Sequence, residues 1–309
     1  MNSNKAKVIG FGALNLDRIF YVDRIVKPDE EGFISSVENH PGGSAANTIV
    51  GLSRLGVPTG YIGKVADDEA GNILLENLDN ENIDINMVRT ASGRSGACLI
   101  MVDGKGNRGI LVDPGVNDTI SMADIDPELA DSAKLIHITS FACRDAETSF
   151  ETQKELAAST SAEISLDPGT LYAERGTEAL IDFIQKARVV LPSDHELTLM
   201  TGCGDIWDGA DMLIDTGAKW VVVKRGDKGC YVTDGTNGIE LPPRKVDVVD
   251  TTGAGDAFNA GFIYSMLQGK DIETCGRIGN ITASISITKR GAREGLPYKD
   301  QLDALIQDL

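Results

Sequence analysis

Basic residues are scarce in this chain. It carries 29 Lys and Arg against 47 Asp and Glu, a net charge of −18. A phosphate backbone would be repelled rather than neutralised, so nucleic acid is not expected as a partner. Cysteine is sparse and scattered, at Cys98, Cys143, Cys203, Cys230 and Cys275. The number is odd and no C-x-x-C pair occurs, which argues against a disulfide framework and a structural zinc site. A reduced, cytoplasmic setting fits best. The 3 histidines stand at no metal-ligand spacing, so zinc and Ser-His mechanisms are not expected. No apolar run reaches about 18 residues, so no membrane span is expected. The opening MNSNKAKVIGFGAL is too briefly apolar for a signal peptide. Two nucleotide-binding signatures are also missing. No G-x-x-x-x-G-K-[ST] occurs, and VIGFGALNLD lacks G-x-G-x-x-G.

The 309 residues are 41% hydrophobic, enough for a single large α/β domain over residues 1–309. Short apolar runs at 6–12, 59–65, 134–140, 163–169, 187–192 and 219–226 read as buried strands. Helical patterns lie between them: SAANTIVGLSRLG, ending at Gly56, then EAGNILLENL, TSFETQKELAAS and TEALIDFIQKA. This alternation predicts a mostly parallel sheet covered by helices on both faces. Two stretches break it. Residues 17–38 read as extended pieces around Lys27-Pro28-Asp29, and 97–112 as a hairpin turning at Asp103–Asn107. Paired together, they would make a small β lid over the sheet, formed by about 14–42 and 95–114; an edge extension without function is the plainer alternative.

The stretch DTTGAGDAFNAGFI, Asp250 to Ile263, places three small residues before an acid at a helix start. Helix N-termini offer unpaired N–H groups and a positive dipole end. Small residues there let an anion approach closely. Gly253, Ala254 and Gly255 supply such a cradle, and Asp256 beside it fits an ionised acid able to take a proton from an alcohol. Anion hole plus base suits phosphoryl transfer to a hydroxyl. A glycine-rich turn with Asp256 as a mere cap explains the same residues, and the short motif does not decide between them. Phe258, Phe262 and Met266 recur on one helix face.

Beyond single motifs, the chain resembles the ribokinase-like (PfkB) carbohydrate kinases. DTTGAGDAFNAGF resembles that family's C-terminal signature and HPGGSAANTIVGLSRLG (40–56) its N-terminal one. GFGALNLD, YIGKVADDEAGN (61–72), VVVKRGDKGCYV (221–232) and ITKRGAREGLP (287–297) follow in the expected order, so the resemblance spans essentially the whole chain. It implies a three-layer α/β/α core with a small β-sheet lid, and transfer of the γ-phosphate of ATP to a hydroxymethyl group with Mg²⁺. Asp256 is then the base and Gly253–Gly255 the anion hole. Asn15, Asp17, Gly42, Gly43 and Asn47 are implied on the sugar side. Lys224, Gly226, Gly229 and Asn280 are implied on the nucleotide side. Asp250 and Thr252, with carbonyls of Ser286, Lys289 and Gly291, resemble a monovalent-cation (K⁺) site, although Gly295 stands where ribokinases often place a hydroxyl ligand. Where the family carries N-x-x-E, this chain has Ser193-Asp194-His195-Glu196. Glu196 matches the acid that orders Mg²⁺ and its waters, and Ser193 replaces the asparagine, predicting a weaker Mg²⁺ or phosphate contact. The resemblance further implies a homodimer through the lid.

Other residues are less telling. His137 in IHITS reads as a core histidine, and Trp207 and Trp220 as structural. His40 precedes the glycine pair. The Asp167-Pro168-Gly169 turn, Arg144 and Arg108 are weaker candidates for lining the clefts. A sugar is the leading acceptor. A nucleoside kinase is the runner-up and would need a lid aromatic, from Phe20, Tyr21 or Phe33, facing the cleft. A catalytically dead sugar-binding protein is the reading from another class, and the intact Gly253–Asp256 stretch argues against it.

Overall fold

The computed structural model describes residues 6–144 and 146–307. Its strands are β1 (Val8–Phe11), β2 (Asn15–Val22), β3 (Ile34–Gly42), β4 (Thr59–Ala66), β5 (Asp84–Ala91), β6 (Gly96–Asp103), β7 (Arg108–Asp113), β8 (Leu135–Thr139), β9 (Glu163–Asp167), β10 (Ala187–Val190), β11 (Val221–Lys224), β12 (Cys230–Thr233) and β13 (Gly238–Leu241). Nine of them form one sheet in the order β13-β12-β11-β10-β9-β8-β1-β4-β5, and the other four form a second sheet, β3-β2-β6-β7. The large sheet is parallel from β11 to β5 and ends in the antiparallel β11-β12-β13 meander.

The six apolar runs of the sequence coincide with β1, β4, β8, β9, β10 and β11. Successive residues on a strand point to opposite faces. Hence Ile9, Ile136, Val190 and Val221 join the core on one side of the sheet, and Val8, Leu135, Val189 and Val222 the core on the other. Helices cover both faces, giving three layers.

Two helical expectations change. TEALIDFIQKA is broken at Leu180, whose side chain is fully buried and whose ψ of 6° is not helical; Gly176–Ala179 and Ile181–Lys186 lie on either side. The helix Ala254–Leu267 has no apolar stripe, because residues 257–266 are buried throughout. It lies between the helices Ser44–Arg54 and Ile272–Ser286. Small residues make that possible: Gly51 faces the Ala260 methyl and Gly261 faces Thr282, so a Cβ at either glycine would come within 2.7 Å of a neighbour.

The second sheet joins the two interruptions of the alternation. β2 pairs with β3 in antiparallel fashion and with β6 in parallel, Asn15 standing opposite Gly96, and β6 turns back into β7. No helix among the described residues is long and apolar enough to cross a membrane.

Candidate active site

The strand order reverses at β1: the chain runs from it outward to β4 and β5 on one side, then returns to lay β8, β9 and β10 on the other. Such a switch point leaves a crevice beyond the strand ends. Asn15 follows β1 there, Asp167 ends β9, Ser193 follows β10 and Lys224 ends β11.

Gly253 caps the helix Ala254–Leu267 with φ of 74°, the left-handed region, and a side chain there would also strike Ala292. Ala254 N–H already donates to Thr251 O at 3.2 Å. The next N–H groups of the first turn, at Gly255 and Asp256, lie where a helix has no partner of its own. Asp256 Oδ2 accepts from Asn47 Nδ2 at 2.8 Å, and its Oδ1 from Ser44 Oγ at 2.5 Å. Burial nevertheless pushes its pKa up to about 6, with Ser44 and Asn47 opposing, Asp167 adding to the rise and Lys224 countering it. The acid is thus ionised at neutral pH but titrates much closer to it than a surface aspartate.

Lys224 Nζ meets Asp167 Oδ2 at 2.6 Å, and Asn259 Nδ2 donates to the same oxygen at 2.6 Å. Burial works against both charges. The Lys224 ammonium overcomes it and holds Asp167 below the ordinary carboxylate range, while Asp167 and Glu196 hold Lys224 above an ordinary lysine. Two cavities meet at this lysine. One, about 510 Å³, is mostly apolar and lined by Gly226, Gly229, Val246, Phe258 and Asn280 among others. The other, about 350 Å³, is polar and lined by Ser44, Asp167, Ser193, Asp194, Glu196 and Asp256. Lys224, Gly226 and Gly255 border both. Asn280 keeps its amide on the carbonyls of Leu241 and Pro242, at 3.2 Å each.

On the other side of Asp256 stands the small sheet. Asn15, Asp17, Ile19 and Tyr21 alternate onto one face of β2. In register, Asp17 stands beside His40 and Cys98, and Ile19 beside Glu38 and Ile100. Gly42 is needed where it is: a Cβ there would lie 2.4 Å from Asp17 Oδ2. Burial raises the Asp17 pKa against a Cys98 hydrogen bond and the charges of Arg293 and His40. Asn15 Oδ1 accepts from Asn117 Nδ2 at 3.0 Å, and Asn117 also bridges both backbone groups of Leu14. Phe20 falls on the opposite face, and Tyr21 donates its hydroxyl to Glu38 at 3.3 Å. The wall on the Asp17 side carries Ile19, Ile100, Ile110 and Val112, with the Tyr21 ring farther along the same face.

Ser193 and Glu196 form a reciprocal helix cap: Ser193 Oγ accepts from Glu196 N at 3.2 Å and Glu196 Oε2 from Ser193 N at 2.7 Å. Asparagine caps helices as well as serine does. A Ser193→Asn variant is expected to melt within about 0.5 kcal/mol of the parent and to saturate at lower Mg²⁺; unchanged Mg²⁺ dependence and rate would show that position 193 serves only as a cap.

Asp250 organises the loop beneath. Its Oδ1 accepts from Thr252 N and Oγ, and its Oδ2 from Gly291 N at 2.9 Å. Lys289 N donates to Ser286 O. Gly295 packs directly on that carbonyl, where a Cβ would sit 1.9 Å from Ser286 O, so no hydroxyl side chain fits at 295 in this conformation. Arg108, on the lid hairpin, lies within charge reach of Asp250. His137 is buried, bonded to Ser165 Oγ at 3.1 Å and kept neutral, its pKa drawn down to about 4 by burial.

The sequence reading did not single out Arg293, Asn259 or Ser44. Ser44 carries a signal in hindsight, since it opens the helix directly after the glycine pair; Arg293 and Asn259 carry none.

A doubly wound sheet with a raised-pKa carboxylate at a helix start and a buried lysine between two cavities is the frame of a group-transfer enzyme. The chain belongs to the pfkB family of carbohydrate kinases, whose model matches residues 5–299. It is accordingly an ATP-dependent phosphotransferase with a sugar alcohol group as acceptor. It is 47% identical to an uncharacterized sugar kinase of Archaeoglobus fulgidus over 80% of this chain and 98% of the relative. It is 32% identical to the ATP-dependent ribose-1-phosphate kinase of Halopiger xanaduensis, over 98% of both chains. Among solved structures, the ribokinase of Thermotoga maritima superposes with a TM-score of 0.87 at 25% identity, covering 98% of this chain and all of that one.

Proposed function

We propose that this kinase transfers the γ-phosphate of ATP to a hydroxymethyl group of a small sugar. The observation that carries the reading is the place of Asp256: a raised-pKa carboxylate at a helix start, bordering the polar cavity that continues past Lys224 into the apolar one. The apolar cavity takes the adenosine, with Gly226 and Gly229 beside the phosphates, and the sugar lies between Asp256 and the Asn15, Asp17, Gly42 and Gly43 corner. Asn47 reaches the sugar only from an amide already shared between Asp256 and Arg293. In the transfer, the acceptor oxygen bonds to the γ-phosphorus as the bond to the β,γ-bridging oxygen breaks, ADP departs, and Asp256 takes the hydroxyl proton. Gly253 shapes the turn so that the Gly255 and Asp256 N–H groups face the charge spread over the transferring group.

Oxygen donors fit Mg²⁺: Glu196, Asp194 and Ser193 line the polar cavity. No cluster of three metal-ligating side chains occurs among the described residues, so the ion would rest chiefly on nucleotide phosphates and waters, with Glu196 ordering those waters. When bound, Mg²⁺ supplies charge neutralisation of the phosphates. A K⁺ ion at the Asp250 loop would be held by Asp250, Thr252 and the carbonyls of Ser286, Lys289 and Gly291, without a side-chain ligand from position 295.

The hydrogen-bonding pair Asn15 and Asp17 and the aliphatic residues beside them, with Phe20 on the far face, support a sugar over a nucleoside, whose base would have only the Tyr21 ring of β2 to meet. Likeness to a ribose-1-phosphate kinase supports a second reading in which the pentose is already phosphorylated. The test is ADP release with Mg²⁺, with and without K⁺, across pentoses, hexoses, ribose 1-phosphate and nucleosides. Turnover on ribose 1-phosphate alone selects the second reading, and turnover on nucleosides alone overturns both.

The lid also supports a homodimer. Its face away from the cleft carries Phe20, Val37, Leu99, Met101 and Leu111, with Leu111 62% exposed, and Phe33 nearby is 73% exposed. Light scattering is expected to give twice the 32.9 kDa chain mass, and Leu111→Arg to give the monomer; a parent protein that is monomeric throughout ends this reading.

A further inference from the structure

Arg293, in the ITKRGAREGLP segment, is the most deeply set cation near the site, 6% exposed. All three of its guanidinium nitrogens are engaged. Nε donates to Asn47 Oδ1 at 2.7 Å, Nη2 to Gly42 O at 3.1 Å, and Nη1 to Asn77 Oδ1. Its own carbonyl accepts from Arg54, which is paired with Glu81.

This arrangement removes a freedom from Asn47. An amide can present either its oxygen or its nitrogen to a neighbour, whereas a guanidinium only donates and a carboxylate only accepts. With Arg293 on one side and Asp256 on the other, one orientation satisfies both: oxygen to Arg293, nitrogen to Asp256. We propose that Arg293 is a positioning residue for phosphoryl transfer, orienting the Asn47 amide so that it donates to Asp256 and holding the Gly42 carbonyl at the sugar corner. The proposal rests on Asp256 being the base. Without the guanidinium, the Asn47 amide is free to turn its oxygen towards Asp256, and the carboxylate loses both a donor and a nearby positive charge. Each change favours the protonated acid.

The charged and titratable groups facing Asp256 are Asp167 from the end of β9, Lys224 from the end of β11, Tyr61 from β4, Arg293 itself and, across the polar cavity, Asp194 and Glu196. Tyr61 stays neutral, since burial raises its phenol far above the ordinary range. Arg293 also lowers the pKa of Asp17 at the sugar corner, so that carboxyl rises as well when the guanidinium is removed, but not through the Asn47 amide.

The experiment is the pH profile of kcat/KM for Arg293→Met, with Asp256→Asn and Asn47→Ala measured alongside. Arg293→Met is expected to move the acid limb upward by about one pH unit and to lower kcat roughly tenfold, with KM for ATP changed less than about twofold. Added to Asn47→Ala, it is expected to move the limb less than it does alone, because the two act through one contact. Arg293→Lys, which keeps the charge with a single-point donor, is expected to shift the limb in the same direction by less, and replaces the methionine variant if that one does not fold. An unmoved acid limb in a folded variant, or shifts that simply add, overturns the proposal. Turnover surviving in Asp256→Asn would instead overturn the base assignment, so the two failures are distinguishable.

Discussion

Asp256→Asn is expected to lower kcat by about 10³-fold while leaving KM for ATP nearly unchanged. The asparagine keeps the shape of the helix start and can still accept from one of Ser44 and Asn47, so the fold and the cavities should persist. What it loses is proton affinity. The same carboxylate is expected to set the pH dependence of the parent enzyme. Its pKa is raised to about 6 by burial, and a base works only when deprotonated, so kcat/KM should fall tenfold per unit as pH drops below about 6. An ordinary exposed aspartate would place that limb near 4. Steady-state kinetics between pH 4.5 and 8 decides the matter. A limb near 4, or turnover in the asparagine variant within tenfold of the parent, would remove Asp256 from the role of base.

Lys224→Met should harm both stability and rate. The lysine and Asp167 form an ion pair with side chains only 13% and 7% exposed. Removing one partner of a buried pair leaves the other charge uncompensated, at a cost of about 3–5 kcal/mol. Asp167 lies close enough to Asp256 to raise its pKa, so the stranded charge also disfavours the ionised base. In the parent, Asp167 has a lowered pKa: its contribution is present above the unfolded value of 3.8 and is lost as pH falls through its lower folded value. In the variant the Asp167 pKa is raised instead, and protonation relieves the strain, so the stability gap should narrow as pH falls from 7 to 5. Denaturant midpoints at the two pH values test this. Adding Asp167→Asn should restore most of the lost stability but not the rate, which loses a cation beside the phosphate path worth roughly 10²-fold. A rate restored along with stability would mean that Lys224 serves the fold alone.

Much of the frame is legible in the residues. β1, β4, β8, β9, β10 and β11 are short apolar runs because both faces of a central parallel strand are covered, and such runs announce themselves. β5 does not: it is an edge strand with a largely polar, half-exposed surface, so no apolar run marks it. β12 and β13 are four residues each, and their pairing emerges only after the antiparallel turn is seen. The catalytic corner shows the same division. Gly253 and Asp256 are three residues apart, so their relation is local and readable. Asp167 and Lys224 are 57 residues apart, and Arg293 and Asn47 are 246 apart. A charged residue in a glycine-rich tail reads as solvated; only the docking of that tail against the Ser44–Arg54 and Glu69–Asn80 helices buries it. Position 295 behaves alike, since its need for glycine comes from the Ser286 carbonyl pressed against it.

The central ladder of the small sheet, β2 against β6, has a consequence for the order in which the protein assembles. These strands are not a hairpin. Between them the chain leaves for the glycine pair, a buried helix, β4 of the large sheet, another helix and β5. Bringing Asn15 to Gly96 through an unstructured chain would cost loop-closure entropy with little hydrophobic reward, whereas a folded core delivers the two ends side by side. The small sheet is therefore expected to form late in folding. It is expected to be lost on local unfolding of the β4–β5 region but to open while the nine-stranded sheet stays intact, at the low end of the molecule's stability scale. Its amides should be the first of the strand amides to exchange with solvent. An enzyme whose site is bordered by such an element can vary it in sequence with little cost to the core, and this gives a physical reason why one scaffold can accommodate kinases for different small acceptors.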